Sequence, residues 1–236
     1  MLYLDSVVIE TTRNCNLECP HCLRGPRQSI SMKREYLHKF LTQVDYINTV
    51  TFTGGEPTLP TGLRTIGWFL EKAPSVGNFY IVTNGNVSRR KLPEILHHLW
   101  NRCEENEISS VDVSEDKYHY VSGRNRFICW LQEEMLYRYG IELHMNKREV
   151  YSVIAEGNAK DWGEKHIEED KIIWNNGYET EDDVVVREGI LYLNCRGKVI
   201  LGCDWSYANQ NDHILCSVDE DIEKAIRLKG TYDENY

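Results

Sequence analysis

Apolar residues along the first two thirds of the chain follow two alternating periods. Val7–Thr12, Val50–Thr53, Phe79–Thr83, Ser110–Ser114 and Ile141–Asn146 are short runs rich in Val, Ile, Phe and Thr, and they read as strands. Between them the apolar positions recur at helical spacing. Lys33–Val44 carries Tyr36, Leu37, Phe40, Leu41 and Val44 on one face. Gly62–Ala73 carries Leu63, Ile66, Phe69, Leu70 and Ala73, and Pro74 stops it. The stretch from Arg90 to Cys103 (Leu92, Ile95, Leu96, Leu99) and Arg126–Tyr139 complete the helices, and Tyr151–Ala155 reads as a sixth strand. Strand–helix alternation of this kind predicts right-handed βαβ units around a parallel sheet. The expected fold class is α/β: an open, partial (β/α)6 TIM-like barrel over residues 1–160.

The pattern breaks near Asp161. Two acidic, irregular stretches, Glu164–Asp170 and Glu179–Asp183, lead to β-like runs at Gly189–Asn194 and Lys198–Leu201, joined by Arg196-Gly197. A helix over Asp219–Leu228 presents Ile222, Ala225 and Ile226. Residues 161–236 are expected to be a small β-hairpin and helix appendage packed on the barrel.

Composition narrows the partners. The chain has 236 residues and 41% hydrophobic content, enough for a full core. A net charge of −10, from 27 basic and 37 acidic residues, repels nucleic-acid phosphates and argues against tight binding to a duplex backbone. A peptide or small-molecule substrate suits that balance. No apolar run reaches membrane-spanning length. Met1–Ser6 carries no basic stretch, and the eight cysteines show no secreted framework, so the expectation is the reducing cytoplasm and no membrane partner.

Ligand chemistry in a parallel α/β sheet collects at the carboxyl ends of the strands, and the suspicious residues all fall there. Cys15, Cys19 and Cys22 form a Cys-x3-Cys-x2-Cys loop after the first strand. Three thiolates on so short a loop supply three of the four ligands of a [4Fe–4S] cluster and leave one iron open. A structural zinc site wants four protein ligands, and His21 between two of the cysteines is poorly placed to be the fourth. Gly54-Gly55-Glu56-Pro57 follows the second strand, where the glycines allow close backbone approach. Asn84 follows the third strand and Ser114-Glu115-Asp116 the fourth. In the tail, Cys195, Cys203 and Cys216 are a candidate second cluster site; equally they suit small buried hydrophobes, or one of them a hydrogen donor. Cys103 and Cys129 sit among apolar helical neighbours and read as core.

The cysteine spacing with an aromatic residue before its third member, together with Gly54-Gly55-Glu56, resembles the radical S-adenosylmethionine (radical SAM) superfamily over roughly residues 5–160. That resemblance implies a [4Fe–4S] cluster on Cys15, Cys19 and Cys22 and S-adenosylmethionine on its open iron. It implies that Gly54, Gly55 and Glu56 hold the methionyl end, that His21 lies against adenine, and that Asn84 and Ser114 lie near ribose and carboxylate. The activity implied is reductive cleavage of S-adenosylmethionine to a 5′-deoxyadenosyl radical that abstracts hydrogen from a peptide or small molecule. A reductase such as flavodoxin or ferredoxin would supply the electron. Ser114-Glu115-Asp116, with His119 and Gly123-Arg124, resembles the subgroup with C-terminal SPASM or twitch extensions, and Asn194–Cys203 resembles a degenerate twitch hairpin. In that subgroup such a hairpin carries an auxiliary cluster. Gly157-Asn158-Ala159 resembles its Gly-Arg-Ala turn with Asn in place of Arg. The alternatives are a glycyl-radical enzyme activating enzyme and a non-catalytic iron–sulfur redox sensor. His144, Asn146, Tyr151, Trp205 and Tyr207 are the expected substrate contacts. The segment from Gly189 to Cys216 is expected to cover the barrel mouth, with Cys203 or Trp205 facing the cavity.

Overall fold

The computed structural model describes residues 1–85, 91–114, 124–148, 153–165, 172–174 and 184–232. Its strands in chain order are β1 (Leu2–Thr12), β2 (Tyr46–Gly54), β3 (Ser75–Thr83), β4 (Ser110–Ser114), β5 (His144–Arg148), β6 (Ile173–Trp174), β7 (Val184–Leu193), β8 (Lys198–Leu201), β9 (Ile214–Ser217) and β10 (Thr231–Tyr232). The helices are α1 (Arg34–Leu41), α2 (Pro60–Lys72), α3 (Leu92–Arg102), α4 (Arg124–Tyr139) and α5 (Ile222–Lys229).

β1 to β5 pair in parallel in sequence order, each linked to the next through a helix, so the expected βαβ alternation is present. Register sorts the side chains into two faces. Val7 pairs with Val50 and Val50 with Phe79, and this row faces the helices. Phe52 on β2 meets Phe69 on α2 edge-on, with ring centroids 5.1 Å apart. The other row is polar beyond β1: Val8 pairs with Thr51, Thr51 with Tyr80, and Tyr80 with Ser110. Half the sheet therefore buries hydrocarbon, and the inner half presents hydroxyls.

The tail departs from the expected appendage. β7 pairs in parallel with β1, from Leu2 opposite Val184 to Ile9 opposite Leu193. β8 and β9 continue antiparallel from it, and Val8, Tyr192, Ile200 and Ile214 pack together on the inner face. The sheet thus runs without interruption across the boundary expected at residue 160, because the first barrel strand needs a partner on its outer edge. The sixth strand expected at Tyr151–Ala155 is not among the named strands. Residues 151 and 152 lie outside the described residues, and Ile154 makes only an isolated bridge to Glu164. The described strands form an open path from β10 to β5, a partial barrel.

Cys103 is 9% exposed at the end of α3, and burial pushes its thiol up to about 12, in keeping with the core reading. Cys129 departs from that reading and is exposed. Phe127, Leu131 and Met135 take the buried face of α4, and Cys129 sits two positions from that stripe.

A fragment of residues 1–160 lacks the β7 partner of β1 and should fail to fold as a monomer. Far-UV circular dichroism and size-exclusion chromatography will show this as lost structure or aggregation. A soluble, cooperatively melting fragment would contradict it.

Candidate metal and cofactor site

A cavity of about 840 Å³ opens at the strand ends, and Cys15, Cys19 and Cys22 line it together with His21, Gly54, Gly55, Glu56, Asn84 and Ser114. Every candidate position at the ends of the first four strands that is described thus reaches one cavity. Glu115, Asp116, His119 and Gly123 lie outside the described residues, as does Tyr151.

The cysteine loop is held by backbone packing from two sides. Gly55 donates its N–H to the carbonyl of Thr12 at 2.6 Å, and Glu56 donates to Asn14 at 2.9 Å. A Cβ on Gly54 would come within 2.2 Å of the Thr12 carbonyl, and one on Gly55 within 2.2 Å of the Asn14 carbonyl. Gly54 also has φ +132°, a conformation that L side chains rarely adopt. The two glycines therefore let the end of β2 lie directly against the chain entering Cys15, a role in building the loop that spacing alone did not reveal. On the other side, Asn158 donates its N–H to the Cys22 carbonyl at 3.0 Å and its Nδ2 to the Cys19 carbonyl at 2.8 Å. Gly157 has φ +56°, and a Cβ there would come within 2.5 Å of the Cys22 carbonyl. The Gly-Asn-Ala turn is a clamp on the loop, and Asn fits that task because a short amide reaches the Cys19 carbonyl.

Glu56 is 1% exposed and fully engaged. Its Oε1 accepts from the Thr58 N–H at 3.0 Å, from the Thr58 hydroxyl, and from the Thr83 hydroxyl at 2.7 Å. Its Oε2 accepts from the Asn84 N–H at 2.8 Å. Burial pushes its carboxyl up, and these donors pull it part of the way back. The carboxylate thus ties the end of β2 to the end of β3. Asn84 points its Nδ2 at Asn16 Oδ1, 2.9 Å away, and at Cys15 Sγ, 3.8 Å away. Burial raises the Cys15 thiol, while the Leu17 N–H donates to its sulfur at 3.4 Å.

The C-terminal segment reaches the same cavity through Cys203, Asp204 and Tyr207. Trp205 is turned aside: its indole donates to the Leu201 carbonyl at 2.8 Å and stacks on His213 at 3.4 Å. The three tail cysteines do not meet at one point. Cys195 is 2% exposed with its thiol on the Glu10 carbonyl, and Cys216 is 4% exposed in the helix-side core with Val199. Cys203 packs with the inner-face residues, so the sheet separates it from Cys216. Of the other substrate candidates, Asn146 donates to Asp112 Oδ1 at 3.1 Å, and His144 is exposed on β5.

A buried polar network that motif reading missed locks this segment to β1. Glu10 and Arg13 form an ion pair at 2.6 Å, with side chains 0% and 2% exposed. Glu10 also accepts from Tyr192 at 2.8 Å, Gln210 at 3.1 Å and the Cys195 N–H at 3.1 Å. Arg13 donates to Gln210 Oε1 at 2.6 Å. Burial drives the Glu10 carboxyl up, but the Arg13 charge and the hydrogen bonds outweigh it and leave it below 4.5. In the sequence Glu10 and Arg13 stand only as two charged residues just before the cysteine loop.

The donor set fits a [4Fe–4S] cluster with one open iron: Cys15, Cys19 and Cys22 line one cavity, and Gly54 and Gly55 line it with them. Among the described residues no three His, Cys, Asp or Glu side chains already stand at metal-ligand spacing, so the thiols must turn inward to share a centre.

Two outcomes follow from this geometry. Gly55→Ala should cost about 1–3 kcal/mol or more by overpacking and reduce iron loading. Gly67→Ala, where a Cβ meets nothing within 4 Å, should be neutral or stabilising; urea titrations and iron assays compare the two. Glu10→Gln leaves Arg13 buried without its counter-charge and should cost about 3–5 kcal/mol near neutral pH. Because the folded value of Glu10 lies below 4.5, its contribution is complete above that pH and is lost as pH falls through the lowered value. Wild-type stability should therefore fall more steeply below pH 4.5 than that of the variant, as followed by denaturant melts.

No family model matches the chain. It is 28% identical over 168 residues to the mitochondrial GTP 3',8-cyclase of Arabidopsis thaliana, covering 65% of this chain and 40% of the relative. It is 25% identical over 126 residues to the putative peptide biosynthesis protein YydG of Bacillus subtilis (strain 168), covering 50% of this chain and 38% of that one. The chain therefore spans less than half the length of these relatives. Among solved structures, BtrN in complex with AdoMet and 2-DOIA superposes with TM-score 0.58 at 14% identity, covering 94% of this chain and 81% of that one. Native anSMEcpe with bound AdoMet and Cp18Cys peptide superposes with TM-score 0.55 at 13% identity, covering 94% and 80%. The fold likeness and the sequence relatives agree with the resemblance to the radical SAM superfamily carried by the cysteine loop and Gly54-Gly55-Glu56.

Proposed function

We propose that this protein reductively cleaves S-adenosylmethionine and uses the product to abstract hydrogen from a polar substrate, a peptide or small molecule bound in the barrel lumen. The observation that carries the reading is the single cavity shared by Cys15, Cys19, Cys22, Gly55 and Asn84. A [4Fe–4S] cluster held there by Cys15, Cys19 and Cys22 would supply the one-electron reduction that cleaves S-adenosylmethionine to methionine and a 5′-deoxyadenosyl radical.

The chain's own part is binding, orientation and exclusion of water. Cys15, Cys19 and Cys22 supply the thiolates, and the carbonyl clamp from Asn158 fixes the loop that presents them. Gly54, Gly55 and Asn84 form the wall where the methionyl and ribose groups would lie, with His21 beside the adenine. Cys203 and Tyr207 line the cavity from the C-terminal segment, where they would help shield a radical from solvent. Ser6, Thr51, Thr53, Tyr80 and Ser114 line the cavity, and such a hydroxyl-rich wall suits a polar substrate. The peptide in the anSMEcpe complex and the peptide biosynthesis relative support a peptide; the GTP 3',8-cyclase relative supports a small molecule.

The same reading requires an electron donor such as flavodoxin or ferredoxin and a reducing compartment, the cytoplasm. All eight cysteines are free thiols, and no helix among the described residues is long and apolar enough to cross a membrane.

Anaerobic reconstitution should load about four irons per chain, since the tail cysteines are not assembled. Replacing Cys15, Cys19 and Cys22 together with Ala should remove that iron. With dithionite, the intact protein should release 5′-deoxyadenosine from S-adenosylmethionine. Full iron retention in the triple variant would sink the proposal, and cluster loading without any cleavage would favour the redox sensor.

A further inference from the structure

Tyr207 lies on the C-terminal segment and lines the cavity that Cys22 also lines. The ring is fixed from two directions. Its backbone N–H donates to the Arg24 carbonyl at 3.0 Å, two residues past Cys22. The Arg13 guanidinium stacks over its face, 4.2 Å from the centroid. Tyr207 is only 8% exposed, yet its hydroxyl has no hydrogen-bond partner among the described residues. A buried hydroxyl left unpaired is destabilising, so such a group calls for an acceptor.

The surrounding groups do not offer one. The Glu10 carboxylate already accepts from Arg13 and the Cys195 N–H on Oε1, and from Tyr192 and Gln210 on Oε2. Arg13 and Arg24 can only donate. Burial, with the Glu10 charge, pushes the phenol up and keeps it protonated. The cation over the ring strengthens the phenol as a donor. A sulfur turned toward it is the acceptor the site lacks.

We propose that the Tyr207 hydroxyl donates a hydrogen bond to a sulfur of the loop-bound cluster, Cys22 Sγ or the sulfide beside it, and thereby sets the cluster's reduction potential from the C-terminal segment. The proposal rests on the iron–sulfur reading above. A donor to a cluster sulfur favours the reduced, more electron-rich state. Seating of the segment that covers the cavity is in this way coupled to electron uptake, so the cluster accepts an electron more readily when its flank is closed. Tyr207 acts through the cluster as a positioning residue and touches no reacting atom.

The test uses full-length protein, wild type and Tyr207→Phe, reconstituted anaerobically. Iron content is measured first, then the reduction potential by EPR-monitored titration without S-adenosylmethionine. Equal iron and a roughly tenfold shift toward the oxidised cluster, about 59 mV more negative for a one-electron couple, are expected. The iron-free variant should melt no lower than wild type, because the hydroxyl has no partner to lose. Wild-type protein that binds no iron overturns the iron–sulfur reading and this inference with it. Normal iron with an unchanged or less negative potential overturns this inference alone. An unchanged potential with weakened S-adenosylmethionine binding assigns the hydroxyl to the cofactor and also overturns it, as does a clear loss of stability in the iron-free variant.

Discussion

The cysteine loop is built by close backbone approach, and the rest of the site depends on it. Gly54 and Gly55 press the end of β2 onto Thr12 and Asn14, and Gly157 presses onto Leu23 and Cys22 from the opposite side. At all three positions a methyl group would overlap a carbonyl oxygen, so the loop is gripped only because side chains are missing there. The hydrogen bonds from Gly55, Glu56 and Asn158 then fix the register of the gripped chain. Three thiols on a free loop would have to lose conformational freedom on meeting iron. Here the folded backbone has already supplied much of that ordering.

A second constraint joins the tail to the site. The Glu10–Arg13 pair is buried, and charges removed from water are tolerated only when their remaining hydrogen-bonding capacity is met. Tyr192, Cys195 and Gln210 meet it, and all three come from the C-terminal segment. The pair therefore adds little net stability by itself but strongly disfavours any arrangement in which that segment leaves. Arg24 repeats the device on a smaller scale, donating to the Trp205 carbonyl at 2.6 Å and lying over the Tyr192 ring. The covering of the cavity is a consequence of satisfying these charges together with β7 pairing on β1.

Local patterning recovered the helices well because each buries one continuous stripe, as Leu37, Phe40 and Leu41 do on α1. It underestimated the strands. β1 starts at Leu2 and β3 at Ser75, since their early residues gain ladder hydrogen bonds and burial from neighbours that the local pattern does not contain. The exposed Cys129 and the three scattered tail cysteines show the same limit. A thiol's role depends on which face of its element it occupies, and spacing along the chain does not report that.

The sequence by itself determined the fold class, the place of each motif at a strand end, and the three-thiol chemistry of the loop. Each of these rests on a local cause: hydrophobic period, turn residues, and ligand types within a few positions. Only the tertiary structure decided that β7 lies on β1, that Glu56 binds strand ends together, and that Asn158 clamps the loop. It alone also brought Tyr207 to the cavity that Cys22 lines. These contacts join residues far apart in the chain, as Glu10 and Gln210 are, and their energy comes from burial and hydrogen-bond satisfaction that exist only once the sheet has formed.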